Sequence, residues 1–251
     1  MWFRGPGEHG EATIADQENA PHWALVVDLD LCTGCQACTM ACYAENNIGV
    51  SDADQMAMGR NRQWIRIERY WDHSEYPDVG ARFLPIMCQQ CAQAPCEPVC
   101  PVFASVHSYD GLNTQVYNRC IGTRYCGHNC PYKVRVFNFF PPEFPEPLNQ
   151  QLNPDVTVRS VGIMEKCTFC VQRIRRARQE AEVQGRPIYD GEIQPACVQT
   201  CPSGALVFGN GVDPDSQVSR LMSSRRGSRL LESFDTRPSV VYLKRSSTAD
   251  V

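Results

Sequence analysis

Fifteen of the 251 residues are cysteines, and they fall into four strings with none left over. The first, Cys32, Cys35, Cys38 and Cys42, is spaced C-x2-C-x2-C-x3-C. The second, Cys88, Cys91, Cys96 and Cys100, keeps that order with two more residues in its second gap. The third runs Cys120, Cys126, Cys130, with Thr123 where a second cysteine belongs. The fourth is Cys167 and Cys170, a long insertion, then Cys197 and Cys201. The last three strings end in Cys-Pro, at Pro101, Pro131 and Pro202. That is too many cysteines for an ordinary cytosolic enzyme and too few for a small disulfide scaffold, so they are read as ligands or bridges.

Runs of this spacing hold [4Fe-4S] clusters in two-cluster bacterial ferredoxins, three thiolates wrapping one cluster and the fourth reaching to its neighbour. The reason is reach. A C-x2-C-x2-C loop curls round one cube and turns backbone N–H groups toward sulfur, while the fourth cysteine faces the second site, where proline suits the change of direction. Structural zinc uses CxxC pairs but rarely repeated runs of four ending in Cys-Pro. A disulfide framework fits worse, because the count is odd and the pairs stand only three residues apart. No phosphate-cradling glycine loop or nucleophile beside a base is legible, and the five histidines are scattered. The expectation is no substrate-converting site, with clusters as the whole chemistry.

The elements that must position these thiols are short. Ala24–Leu29 (ALVVDL) reads as the strand feeding the first string, and Trp64–Arg69 (WIRIER) alternates as another. Two Cys-Pro ends repeat: Cys100-Pro-Val-Phe-Ala-Ser-Val106 matches Cys201-Pro-Ser-Gly-Ala-Leu-Val207. Each predicts a helical turn, a close-packed alanine and a short strand. Asp110-Gly111 then marks a hairpin whose return strand, Thr114–Tyr117, leads into Cys120. The expected fold class is α+β, tandem two-cluster ferredoxin-like modules with insertions and long loops. Residues 23–210 form the four-cluster region, between extensions at 1–22 and 211–251; residues 1–20 and the tail from about Ser246 read as disordered.

Two stretches read as insertions. Asn138–Asn153 is rich in proline and aromatic residues, so it should be extended, and it is a candidate partner contact. Cys170–Gly185 reads as a helix with Val171, Ile174, Ala177 and Ala181 on one face and Gly185 as its cap. Arg173, Arg175, Arg176 and Arg178 are expected to solvate the opposite face.

Composition narrows the partners. With 43% hydrophobic and 21% charged residues the chain is of ordinary globular type. Its 24 basic and 28 acidic residues leave a net charge of -4, so no nucleic acid is expected as a partner. No apolar run approaches the roughly 20 residues of a bilayer span, and mean hydropathy is -0.36. The N-terminal stretch has no apolar segment and only Arg4 as a basic residue, so no export signal is read.

The strings resemble the four-cluster ferredoxin-like subunits of the complex iron-sulfur molybdoenzyme family, over about Ala24 to Gly209. Within it, Tyr117-Asn-Arg-Cys-Ile-Gly-Thr-Arg-Tyr-Cys126, Asn129-Cys-Pro-Tyr-Lys-Val-Arg135 and Met164-Glu-Lys-Cys-Thr-Phe-Cys-Val-Gln-Arg-Ile174 look like the iron-sulfur subunit of alternative complex III, which oxidises membrane quinol and passes the electrons to periplasmic carriers or an oxidase. The ligand swapping of that family implies pairing of strings one with four and two with three. Cluster one would take Cys32, Cys35, Cys38 and Cys201; cluster two, Cys42, Cys167, Cys170 and Cys197; cluster three, Cys88, Cys91, Cys96 and Cys130. The last site has Cys100, Cys120 and Cys126. Thr123 offers no soft thiolate at its fourth corner, so three [4Fe-4S] clusters and one [3Fe-4S] cluster are expected; His128 is the alternative ligand there.

The resemblance implies an electron-transfer subunit in a membrane-associated quinol-oxidising complex. Its partners would be an integral membrane quinol-binding subunit and a large molybdopterin-enzyme-like subunit or haem c protein. The alternatives are the same relay in a molybdopterin oxidoreductase acting on a sulfur or nitrogen compound, and a free multi-cluster ferredoxin. Its place would be peripheral, on the extracytoplasmic face if a partner carries it across folded and otherwise on the cytoplasmic face. Arg124, Lys133 and Arg135 would raise the potential of the nearby three-iron site, unless they are only surface charges.

Overall fold

The computed structural model describes residues 20–72, 75–77 and 79–246. Apart from Ala20 and Ser246, the ends expected to be disordered lie outside the described residues. The fold is α+β, made of small sheets and short helices around the cysteines.

β1 (Trp23–Asp28) is the anticipated strand, and its burial explains its unbroken apolar run: Trp23 to Val27 are all buried. Period-2 geometry sends alternate side chains to opposite faces. Trp23, Leu25 and Val27 join the core that contains the cysteines, while Ala24 and Val26 pack under α6 (Gln217–Met222) with Val218. β1 pairs antiparallel with β8 (Leu206–Asn210), Val27 opposite Leu206, and parallel with β10 (Val240–Leu243), Leu25 opposite Val240. β9 (Gly227–Ser228) closes the order β8-β1-β10-β9. The segment from Gly211 onward, read as an extension, therefore supplies a fully buried interior strand. Its Val-Val-Tyr-Leu run is long enough to fill a sheet position, between β1 on one side and β9 on the other.

The hairpin β4 (Ser105–His107) and β5 (Asn113–Gln115) forms where Asp110-Gly111 predicts it, with Gly111 at φ 78°. It mirrors β8–β1: in each pair the strand leaving one Cys-Pro end lies antiparallel to the strand entering another string. Ala104 and Ala205, the repeated alanines, are buried at 0% and 2%. β2 (Ile65–Trp71) is the second expected strand and pairs with β3 (Ala81–Met87). β6 (Val136–Phe137) and β7 (Met164–Glu165) make a short ladder that brackets the proline-rich stretch.

That stretch is irregular up to Pro147, as its prolines require, and then makes one 3-10 turn over Leu148–Gln151. Buried Arg62 donates to the carbonyls of Phe140 (2.8 Å) and Pro141 (3.0 Å), so it is fastened to the body of the protein. α4 (Val171–Val183) is the expected helix, with Ile174, Ala177 and Ala181 buried. Left-handed Gly185 ends it, the Arg186 N–H closing on the Ala181 carbonyl at 3.0 Å. Three of its four arginines do more than solvate a face: Arg173 pairs with Glu45 (2.7 Å), Arg176 with Asp155 and Arg178 with Asp110 (2.9 Å), while Arg175 is exposed as expected.

Candidate metal centres

Each string opens on the same backbone device. The second residue after its first cysteine is left-handed: Gly34 (φ 70°), Gln90 (48°), Gly122 (75°) and Phe169 (54°). Two of these positions also need glycine for space. A Cβ on Gly34 would lie 2.3 Å from the Phe83 ring, and one on Gly122 would lie 2.2 Å from the Gly162 carbonyl oxygen. In strings one and three a second left-handed residue follows, Gln36 (63°) and Arg124 (60°), and each begins a helix, α1 (Ala37–Glu45) and α3 (Tyr125–Asn129).

The three Cys-Pro ends share another device, a left-handed residue three positions after the cysteine: Phe103 (49°), Lys133 (52°) and Gly204 (65°). Such a turn forms a small nest of N–H groups that receives negative charge. Cys100 accepts from the backbone of Val102, Ala104 and Ser105, Cys201 from Ser203, Ala205 and Leu206, and Cys130 from Tyr132 and Val134. Burial works against the thiolates of Cys100 and Cys201, yet these hydrogen bonds, joined by Ser203 at Cys201, outweigh it and hold both thiols below their ordinary range.

Folding brings cysteines from different strings together. Cys32, Cys35, Cys38 and Cys201 line one cavity, roofed by Ile67 and Pro85 of the β2–β3 hairpin. Cys88, Cys91, Cys96 and Cys130 line a second, beside Tyr132 and Arg135. Cys42 faces Cys167, Cys170 and Cys197, and Asn46 Nδ2 stands 3.6 Å from Cys42 Sγ and 3.8 Å from Cys170 Sγ. Cys126 faces Cys120, and Arg135 acts electrostatically on both Cys126 and Cys100. Thr123 is exposed beside this last group; His128 is exposed too, and its carbonyl accepts from Lys133 Nζ.

Electrostatic coupling links neighbouring groups: Cys38 acts on Cys197, Cys88 on Cys167, and Cys96 on Cys126. Burial differs between them. Every thiol of the second and third groups is buried, whereas the five that are not, Cys32, Cys35, Cys201, Cys100 and Cys120, belong to the first and fourth.

These donor sets fit iron-sulfur clusters. Burial pushes the Cys38 thiol up to about 11 and those of Cys91 and Cys167 up to about 12. Thiols so reluctant to ionise need a bound cation to stand as thiolates, because the metal takes the place of the proton.

Several polar contacts escaped the sequence reading. Thr236, from the C-terminal segment, hydrogen-bonds Cys91. Ser105 and Asn113 each stand 3.7 Å from Cys96 Sγ. Lys166 is fully buried and donates to the Cys167 carbonyl at 3.0 Å. Only Lys166, adjacent to a cysteine, carried a local signal. A wider cleft of about 600 Å³ between His22, Arg229 and Arg237 contains no cysteine.

Residues 31–104 match the family model for the 4Fe-4S dicluster domain. Over 228 residues, 89% of each chain, the protein is 42% identical to the iron-sulfur cluster-binding subunit of menaquinone reductase from Nitratidesulfovibrio vulgaris. The chain belongs to the family of iron-sulfur subunits of menaquinone reductases and molybdoenzymes. It is 36% identical to the Hdr-like menaquinol oxidoreductase iron-sulfur subunit 1 of Archaeoglobus fulgidus, covering 88% of this chain and 83% of that one. It is 31% identical to the B subunit of polysulfide reductase from Wolinella succinogenes, covering 87% and 92%. None of these three is named for alternative complex III, so the broader family is established and that particular likeness is not. The chain is accordingly an iron-sulfur, electron-transfer subunit of oxidoreductase type. Among the described residues no helix is long and apolar enough to cross a membrane.

Proposed function

We propose that this protein is the electron-relay subunit of a membrane-associated, menaquinone-linked oxidoreductase with a molybdopterin-enzyme-like catalytic partner. The observation that carries the reading is the burial of the cysteines: every thiol of two of the proposed groups is buried, while the other two groups each keep partly open ones. A relay needs that arrangement and a substrate-converting enzyme does not. The relatives named for menaquinone and polysulfide chemistry support a reductase-type complex over a dedicated quinol oxidase.

Three [4Fe-4S] clusters would be held by Cys32, Cys35, Cys38 and Cys201, by Cys42, Cys167, Cys170 and Cys197, and by Cys88, Cys91, Cys96 and Cys130. A [3Fe-4S] cluster would be held by Cys100, Cys120 and Cys126. When bound, these groups supply one-electron transfer. The chain's own part is to hold them in order, insulate the middle pair from water and donate N–H groups to sulfur at Cys100, Cys130 and Cys201, which favours negative charge there.

Apolar side chains mark the two ends for partners. Phe103 (70% exposed), Ile121 and Tyr125 flank the fourth group, and Leu31 and Met40 flank the first. A quinone-binding membrane subunit is assigned to the fourth group, and a molybdopterin-enzyme-like or haem c partner to the first. The membrane face proposed for the chain is the extracytoplasmic one. Anaerobic protein should contain about 15 iron atoms per chain with matching sulfide, from three four-iron sites and one three-iron site, and should co-purify in mild detergent with an integral membrane subunit. About half that iron, zinc in its place, or a fully loaded monomer exchanging electrons only with soluble donors would overturn the reading.

A further inference from the structure

Arg135 follows Cys130 in the chain but is no surface charge: the residue is 8% exposed. Its guanidinium donates to Gln115 Oε1 at 2.7 Å, Ser105 Oγ at 2.5 Å and Asn113 Oδ1 at 2.7 Å. All three acceptors stand on the β4–β5 hairpin, Ser105 directly opposite Gln115. All three are neutral. Glu97, the carboxylate joined to the same network, is bound by Asn113 and by His107 Nδ1 at 2.6 Å.

A guanidinium stays charged in proteins, and a buried charge surrounded only by neutral oxygens is strongly unfavourable. The counter-charge has to come from elsewhere. Negative charge is available from cysteines: Arg135 lines the cavity of Cys88, Cys91, Cys96 and Cys130, hydrogen-bonds Cys126 and attracts Cys96 and Cys88, and acts as well on Cys100 and on the buried Tyr117 hydroxyl. Cys88 and Cys96 belong to the third group and Cys126 to the fourth, so one cation is shared by two sites. Arg124 and Lys133, its neighbours in sequence, differ. Arg124 is exposed and stacks over Phe137 and Phe139, and exposed Lys133 donates to the His128 carbonyl; water screens both.

We propose that Arg135 is a shared electrostatic control on the third and fourth sites, its fixed charge between Cys96 and Cys126 raising the reduction potentials of both bound clusters together. Positive charge favours the more negative, reduced state of any centre beside it, and burial preserves the effect. The inference rests on the cluster assignment above and deepens it.

The test is redox titration followed by EPR on full-length protein purified anaerobically, with iron counted in each sample. Arg135→Gln should lower two potentials, each by at least tenfold in the reduction equilibrium, about 59 mV for one electron, and leave two unchanged. Arg135→Lys should restore most of the difference. Gln115→Glu places a carboxylate against the intact guanidinium and should lower the same two potentials, which a purely structural role for Arg135 would not produce. Arg124→Gln and Lys133→Gln should leave all four where they were. Unchanged potentials in Gln115→Glu with full iron overturn the proposal, even if Arg135→Gln loses its clusters. Wild-type protein without iron would instead overturn the cluster assignment and this inference with it.

Discussion

Thr123 occupies in the third string the backbone position that Cys35 occupies in the first. Each is preceded by a left-handed glycine, Gly122 or Gly34, and followed by a left-handed residue, Arg124 or Gln36, that begins a helix. Both are exposed. On the proposed cluster assignment the backbone offers a fourth corner at the last site, where Thr123 brings no thiolate. Thr123→Cys should raise the iron content from about 15 to about 16 atoms per chain, abolish the EPR signal of an oxidised [3Fe-4S] cluster and lower that site's potential. A signal that survives the substitution would show that something other than residue 123 excludes the iron.

Arg62 is a buried cation of another kind, a staple for the proline-rich stretch. It is 2% exposed and donates to the carbonyls of Val50 (3.3 Å), Phe140 (2.8 Å) and Pro141 (3.0 Å). A hydrogen bond from a charged donor contributes about 1.5–3 kcal/mol, so Arg62→Met should destabilise the protein by about 2–3 kcal/mol and open residues 141–152 to protease. Thermal unfolding and limited proteolysis indistinguishable from wild type would refute this.

Strand β10 makes the C-terminal segment indispensable. Val240, Val241, Tyr242 and Leu243 are all at most 2% exposed. At about 1.5–3 kcal/mol for each buried side chain they contribute about 6–12 kcal/mol, comparable to the whole stability of a domain, about 5–15 kcal/mol. Truncation after Pro238 should yield insoluble or iron-free protein, whereas truncation after Ser246 should not. Soluble, iron-loaded protein from the shorter form would contradict the sheet order.

His22 supplies a pH dependence outside the cysteine groups. Burial lowers its pKa, His107 adds to the effect and Asp110 opposes it, while Nε2 lies 3.2 Å from Ser239 Oγ. The unfolded chain takes up this proton near pH ~6.5 and the folded chain only at lower pH. The contribution is thus fully present above about 6.5 and is lost as pH falls through the folded value. Between about pH 7.5 and about pH 5 the melting temperature of the wild type should fall more than that of His22→Gln. Equal slopes would remove His22 from the account.

Local pattern made much of this protein legible. The cysteine spacing announced iron-sulfur sites, the run Ala24–Leu29 announced a strand, and Asp110-Gly111 and Gly185 announced a hairpin and a helix cap. Each rests on φ/ψ preference or side-chain periodicity within a few residues, which a linear sequence records directly. Tertiary structure decided the rest: that Cys201 shares a cavity with Cys32, Cys35 and Cys38, that Val240–Leu243 lies beside β1, and that Arg173, Arg176 and Arg178 reach Glu45, Asp155 and Asp110. Arg135 and Arg124 look alike as letters, each a cation a few residues from a cysteine. One is buried between two sites by the β4–β5 hairpin and the other stays in water, because burial is settled by which distant segments pack over a side chain, and no nearby residue records that.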